Sequence, residues 1–313
     1  MKKTFLLTAF LLFCVYFSTA QKVYTSVSEA SATPEEVKIL DLSGQNLSGL
    51  PSEIFSYKNL EELYADNNNI SALEGVDALE NLKVLSLSSN SLTAIPDAVA
   101  GLTQLESLNI SANKIVNVNS KITNLKNLKE LDLSFNNISQ LPEEISGLSS
   151  LEVLLLSSNK IAKLPAGIEK LTNLKILYLD ECPLNVISPN ILRIKSLKRL
   201  SMAKCGLTSI PANINLLSNL THLLLNDNAI TNVPASVYTL ASLEYLALSS
   251  NKITALSGEI IKLKNLIDLN LCNNKIEEMP HELGKMPALK SIGVSGTGVE
   301  MMNQTAQSTK NIY

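Results

Sequence analysis

An α/β solenoid is the fold this sequence predicts, with one parallel sheet on one face and short helices or 3-10 turns on the other. Three observations predict it. The segment Leu128 to Ser150, LKELDLSFNNISQLPEEISGLSS, restarts every 23 residues at Leu151, Leu174, Leu197, Leu220, Leu243 and Leu266, and backwards at Leu105 and Leu82. Inside each copy, apolar positions 4 and 6 (Leu131 and Leu133) alternate with polar neighbours, the period of a strand with one buried face. Position 15 is proline in seven copies: Pro51, Pro96, Pro142, Pro165, Pro211, Pro234 and Pro280. No copy can bury its own apolar face, so the copies must stack side by side.

Taken in order, residues 1–20 read as a secretory signal peptide: Lys2 and Lys3, an apolar run from Thr4 to Phe17, then Ser18-Thr19-Ala20 as small residues before a cut. The run is short for a bilayer-spanning helix of about 20 residues, although an uncleaved anchor is the other reading. A mature chain would begin at Gln21. Residues 21–36 read as an N-terminal capping segment, with a short helix in Tyr24 to Ala32 and Pro34 opening a second. Residues 37–299 hold about twelve copies: a slightly degenerate first at Val37, a 22-residue copy at Leu60, and an incomplete last at Leu289. Residues 300–313 form a polar tail. Each copy is read as a strand, then a turn holding Asn at position 9, then proline opening a helical turn. The asparagines are Asn68, Asn90, Asn113, Asn136, Asn159, Asn228, Asn251 and Asn274. An amide there can satisfy turn backbone groups that cost a few kcal/mol when buried unpaired. The Ile or Val at position 18 and Leu at 21 then point back into the core.

The skeleton LxxLxLxxNxLxxLPxxIxxLxx, with seven or more positions recurring in nearly every copy, closely resembles the leucine-rich repeat family, whose period is 20 to 29 residues. That resemblance implies a right-handed horseshoe with its parallel sheet on the concave face. Twelve strands about 4.8 Å apart make that face roughly 50 Å long. The cysteine-rich flanking caps of animal extracellular members are absent from the sequence, so the chain looks more like the bacterial secreted branch. Cys182 and Cys205 stand at position 9 in adjacent copies; members of the family often carry Cys there, which implies buried structural thiols. Parallel in-register side chains are poorly angled for a disulfide.

Composition narrows the function. Without Lys2 and Lys3, the 26 basic residues fall to 24 against 29 acidic ones, and the only arginines are Arg193 and Arg199. Nucleic-acid binding needs clustered cations, so it is not expected. Beyond residue 20 no apolar run is long enough to span a membrane. Three cysteines at wide spacing (Cys182, Cys205 and Cys272) make neither a disulfide framework nor a zinc signature. Cys272, facing out from the sheet at position 7, would be the reactive thiol. The two histidines, His222 and His281, have no nucleophile placed beside them by the repeat, and no glycine-rich phosphate loop occurs. No catalytic residue, cofactor or metal is therefore expected, and the chain is expected to be a monomer. Sequons such as Asn69-Ile-Ser71, Asn137-Ile-Ser139 and Asn219-Leu-Thr221 are generated by the template and matter only in a eukaryotic secretory route.

Candidate binding residues come from reading equivalent positions as columns, because they stack on neighbouring strands. At position 8, Glu181, Lys204 and Asp227 alternate in sign, a ladder worth little on a surface. At positions 3 and 5, Ser107, Asn109, Glu130 and Asp132 give way to Val153, Leu155, Ile176 and Tyr178, then Arg199, His222, Leu224 and Tyr245. These are expected to face solvent on the concave side, where apolar character does nothing for the core. Together with Phe135 and Asp180 they form the candidate ligand-binding face. Exposed apolar patches mark interaction sites, and Tyr and Arg are enriched in hot spots. The favoured function is an exported scaffold (secreted, periplasmic or surface-associated) that holds a protein or peptide on the concave face. An architectural or adhesive surface protein without a specific concave ligand is the alternative.

Overall fold

The computed structural model describes residues 21–299; the expected signal peptide and tail lie outside them. Thirteen parallel strands follow one another in chain order in a single open sheet among the described residues. β1 (Val23–Tyr24), β2 (Ile39–Asp41), β3 (Glu62–Tyr64) and β4 (Val84–Ser86) lead into β5 (Ser107–Asn109), β6 (Glu130–Asp132) and β7 (Val153–Leu155). β8 (Ile176–Tyr178), β9 (Arg199–Ser201), β10 (His222–Leu224), β11 (Tyr245–Ala247), β12 (Asp268–Asn270) and β13 (Ser291–Gly293) complete it. The copies supply β2 to β13. β1 comes from the N-terminal segment, where Val23 and Tyr24 pair with Ile39 and Leu40 and so extend the sheet by one strand. Behind it lie α1 (Val27–Ala30), capped by Ser26 accepting the Glu29 N–H at 3.2 Å, and a 3-10 turn at Pro34–Glu36.

On the face opposite the sheet, short 3-10 turns replace helices in every copy. Each is three to five residues long, as at Glu143–Gly147 and Ile214–Leu216. Six of the seven prolines sit one residue before the turn in extended backbone (Pro142 at φ −69°, ψ 150°), while Pro211 lies three residues before Ile214–Leu216. The carbonyl of Pro142 accepts the Ile145 N–H at 3.1 Å. Proline thus opens the turn from outside it. Ile145 and Leu148 then dive between the layers, both fully buried. The core is one continuous column from Tyr24 to Leu289, lined by Leu, Ile and Val.

The asparagine at position 9 connects successive copies. Asn136 donates through Nδ2 to the carbonyls of Ile110 (3.0 Å) and Leu133 (3.0 Å), and its Oδ1 accepts from Ile115 N–H at 2.9 Å. The same set recurs at Asn90, Asn113, Asn159, Asn251 and Asn274. The residue before position 9 adopts a left-handed φ in all twelve copies: Gly44 and Gly296, and the non-glycine residues from Asn67 (φ 55°) to Asn273 (φ 56°), including Phe135 (φ 56°) and Glu181 (φ 59°). This turns the position-9 side chain inward in the eight copies that carry asparagine. A left-handed non-glycine costs roughly 1–2 kcal/mol, so the ladder must return more than that per copy.

At Cys182 and Cys205 the thiols occupy the amide's place. Cys182 Sγ–H donates to the Leu156 carbonyl at 3.3 Å and Cys205 Sγ–H to that of Leu179 at 3.0 Å. Burial pushes the two thiols up to about 11 and about 12, so both stay protonated donors. A thiol offers no carbonyl oxygen, and the Leu184 N–H turns to the Cys182 carbonyl at 2.8 Å instead.

These positions rank by stability. Asn136→Ala should cost about 3 kcal/mol by orphaning buried backbone groups. Leu156→Ala, at a fully buried core position, should cost about 2–5 kcal/mol. Glu181→Ala, exposed at the rim, should cost under about 1 kcal/mol. Urea midpoints at unchanged slope measure the order.

Candidate functional site

Register fixes what stands beside what on the concave face. The position-3 row runs Glu130, Val153, Ile176, Arg199, His222, Tyr245 and Asp268, each paired with the next. The position-5 row runs Asp132, Leu155, Tyr178, Ser201, Leu224 and Ala247. At a strand spacing of about 4.8 Å, large side chains in one row cover each other. Two of the residues expected to face solvent are therefore buried: Leu155 retains 7% of its surface and Ile176 retains 9%. Leu155 is enclosed between β6 and β8, and Ile176 between Val153 and Arg199. Val153, Tyr178, Arg199, His222, Leu224 and Tyr245 are half-buried and keep a face to solvent.

The aromatic groups are organised. His222 and Tyr245 stack with centroids 4.3 Å apart and planes at 22°. Burial, with the Arg199 charge beside it, lowers the His222 imidazole to about 4, and Nδ1 lies 2.8 Å from the Thr221 hydroxyl. Burial raises the Tyr178 phenol, against the opposing pull of Arg199, which also hydrogen-bonds it. Arg199 is thus placed between Tyr178 and His222, and no carboxylate among the described residues reaches ion-pair distance of it.

Asp180 departs from the expected contact role. Its carboxylate accepts from Ser201 Oγ at 2.5 Å and from Ala203 N–H at 2.7 Å, bracing β8 against the next turn. Asp66 does the same two-donor work on Ser86 and Ser88, and Asn226 on Ser249. Burial nonetheless raises the Asp180 carboxyl above its ordinary range. Glu181 pairs with Lys204 at 2.7 Å and accepts from Ser158 Oγ at 2.9 Å. The expected continuation from Lys204 to Asp227 does not close to ion-pair distance among the described residues. Phe135 sits at the left-handed turn position and leaves 50% of its surface exposed.

Two columns were missed by reading one copy at a time. At position 2, Lys38, Glu61, Lys83, Glu106, Lys129, Glu152 and Lys175 alternate, and they close as Lys38–Glu61 (3.2 Å), Glu61–Lys83 (2.6 Å), Glu106–Lys129 (2.6 Å) and Glu152–Lys175 (2.6 Å). Lys83 above all holds the Glu61 carboxyl below its ordinary range. At the end of alternate copies a second asparagine series bridges to the preceding one: Asn127 to Thr103 O at 3.0 Å, Asn173 to Ser149 O at 2.8 Å and Asn219 to Lys195 O at 2.8 Å. Both columns were visible in the sequence, the first as lysine and glutamate alternating at 23 residues and the second as asparagine recurring in every other copy from Asn81 to Asn265. Among the described residues no group of His, Cys, Asp and Glu is arranged to hold a metal ion. A groove lies away from the sheet, lined by residues such as Glu143, Gly167 and Lys170.

Comparison with known proteins agrees with this geometry. Residues 115–205 match the family described as leucine-rich repeat region, residues 76–115 and 241–299 match leucine rich repeat, and residues 218–263 match leucine rich repeats in two copies. A leucine-rich repeat protein of Leptospira interrogans has a solved structure that superposes with a TM-score of 0.85, at 32% identity, over 91% of this chain and 79% of that one. The chain belongs to the leucine-rich repeat family. The leucine-rich repeat ectodomain of an Arabidopsis thaliana membrane receptor kinase, solved in complex with Casparian strip integrity factor 2, matches with a TM-score of 0.66 at 26% identity. That match covers 84% of this chain but only 36% of the receptor chain. A plant intracellular Ras-group-related leucine-rich repeat protein of rice is 33% identical over 89 residues, 25% of this chain and 24% of the relative.

Lowering the pH from about 6.5 to about 4 should destabilise the protein through His222, because the unfolded chain takes up a proton there that the folded one refuses. Stability therefore rises with pH across that window. His222→Gln should show a smaller rise, read as the difference in urea midpoints at the two ends.

Proposed function

We propose that the protein is an exported, non-enzymatic scaffold of the bacterial secreted type that binds a protein or peptide on its concave sheet. The observation that carries this reading is the half-exposed cluster Val153, Tyr178, Arg199, His222, Leu224 and Tyr245, in columns that are polar on neighbouring strands. The core lies on the other side of the sheet and needs none of these side chains. Tyrosine gives large contact area at low entropic cost and arginine is enriched in hot spots, so their concentration here favours recognition over spacing. The receptor ectodomain solved in complex with Casparian strip integrity factor 2 supports a binding role for a related solenoid. No helix among the described residues is long and apolar enough to cross a membrane, and export rests on the character of residues 1–20.

Tyr178→Ala, and separately a Leu224→Ala, Tyr245→Ala pair, should leave the thermal melt within a few degrees and cost roughly thirtyfold in affinity for the captured partner. Pull-down with wild type and variants, followed by titration of the shared captured protein, reads this. Retention of that protein by both variants would favour an architectural or adhesive role. Export makes a separate prediction. In a secreting host the chain should be cut to begin at Gln21, read by intact mass; a soluble cytoplasmic product retaining Met1 would remove this part of the reading.

A further inference from the structure

The position-3 row has a charge order that the concave reading does not use. Between β6 and β12 it runs from Glu130 past Val153 and Ile176 to Arg199 on β9, then past His222 and Tyr245 to Asp268; the row extends beyond these to Glu62 on β3 and Ser291 on β13. Arg199 is three strands from each acid, about 14 Å. These charges have no ion-pair partner among the described residues, although ion pairs close along the neighbouring position-2 column. Lys129, next to Glu130 in sequence, is taken by Glu106 at 2.6 Å. Burial above all, and the Glu152 charge, raise the Glu130 carboxyl against the opposing Ser107 hydroxyl and Lys129 charge, so a further cation over the row would relieve it.

Resting on the concave reading above, we propose that the ligand is an extended protein segment lying across the strands, with an acidic residue over Arg199 and a basic residue about four positions to each side. An extended chain advances about 3.3 Å per residue, so about four residues span each 14 Å interval. Between the charges the segment presents apolar side chains, to Val153 and Tyr178 on one side and to the His222–Tyr245 stack on the other. The pattern basic–acidic–basic reads the same in both directions, so it does not depend on which way the segment runs. The charge pairing would set register and partner choice along the row, while the apolar contacts hold the segment down.

The test is selection of a random linear-peptide display library on the immobilised protein, with four forms in parallel: wild type, Glu130→Lys, Arg199→Glu, and the Leu224→Ala, Tyr245→Ala pair. Thermal melts confirm folding, and Glu130→Gln and Arg199→Gln serve where a charge reversal fails to fold. Wild type should enrich peptides with the basic–acidic–basic spacing. Arg199→Glu should replace the central acid with a base, Glu130→Lys should replace one flanking base with an acid, and a wild-type-selected peptide should lose about tenfold in affinity for either. Peptides enriched by wild type that bind both charge variants unchanged would overturn this proposal, and so would failure to enrich any linear peptide. If such charge-indifferent peptides are nevertheless lost on the Leu224→Ala, Tyr245→Ala pair, the concave reading survives without this one. If they are kept on all forms, both fall.

Discussion

Everything in the solenoid hangs on how a strand is turned without leaving buried backbone groups unpaired. The chain leaves each strand through a left-handed residue and enters the core with an amide that reaches both its own turn and the preceding copy. For Asn136 those contacts run back to Ile110 and Ile115 and forward in its own copy to Leu133. A solenoid has no interactions between distant repeats, so this local bridge is what makes neighbouring copies cooperative. Side chains as unlike as Phe135, Ser158 and Asp227, each directly before such an asparagine, accept a left-handed φ for its sake, and Glu181 and Lys204 keep the same turn before the two cysteines. The turn tolerates any residue type because the amide and the extended sheet hydrogen bonds, such as Phe135 N–H to Ser157 O at 2.8 Å, fix its shape from both sides.

The interruption of that ladder at Cys182 and Cys205 has a local consequence. Each thiol keeps the donor bond to a carbonyl of the preceding copy but has no amide oxygen to offer. The chain after Cys182 adjusts: Leu184 N–H moves to the Cys182 carbonyl, Asn185 takes a left-handed φ of 61°, and its N–H reaches the Cys205 carbonyl at 2.9 Å. These two copies are the ones whose strands carry Tyr178 and Arg199. The sheet itself stays in register there, with Ile176 opposite Arg199 and Tyr178 opposite Ser201. Irregularity is thus confined to the turn, and the candidate contact residues stand on undisturbed strands.

Much of this was legible in the sequence because each copy repeats the same instruction. Leu131 and Leu133 alternate as a strand must, the eight asparagines recur at one position, and Pro142 precedes an Ile that can only point inward. What one copy cannot show is how wide its side chains are relative to the strand spacing. Leu155 and Ile176 were expected in solvent because their position faces outward, and they are buried because their neighbours in the row are large. Asp180 was expected at the contact face because it is charged and outward, yet serine and backbone donors one copy on claim its carboxylate. The His222–Tyr245 stack and the alternating lysine and glutamate column were present as recurrences at 23 residues, and only a reading across copies exposes them.

The separation between the two faces of the sheet is what gives the concave residues meaning. Positions 4, 6 and 9 are fixed by packing and hydrogen bonding, so their identities report the fold. Positions 3 and 5 are constrained far less, since a serine, an asparagine or an acid serves there as well as a tyrosine on strands of the same shape: Ser107 and Asn109 on β5, Ile176 and Tyr178 on β8. A half-buried arginine without a carboxylate partner, hydrogen-bonded to the Tyr178 phenol and beside an imidazole whose protonation burial and then the arginine charge suppress, leaves its charge uncompensated within the scaffold. Such an arrangement loses little when another molecule supplies the missing charge, and gains both a pairing and the displacement of water from Tyr178 and Tyr245. The same reasoning sets Phe135 apart: an exposed aromatic at a strained turn adds neither core burial nor a hydrogen bond, and it stands on the copy that also carries Glu130, at the N-terminal edge of the apolar row.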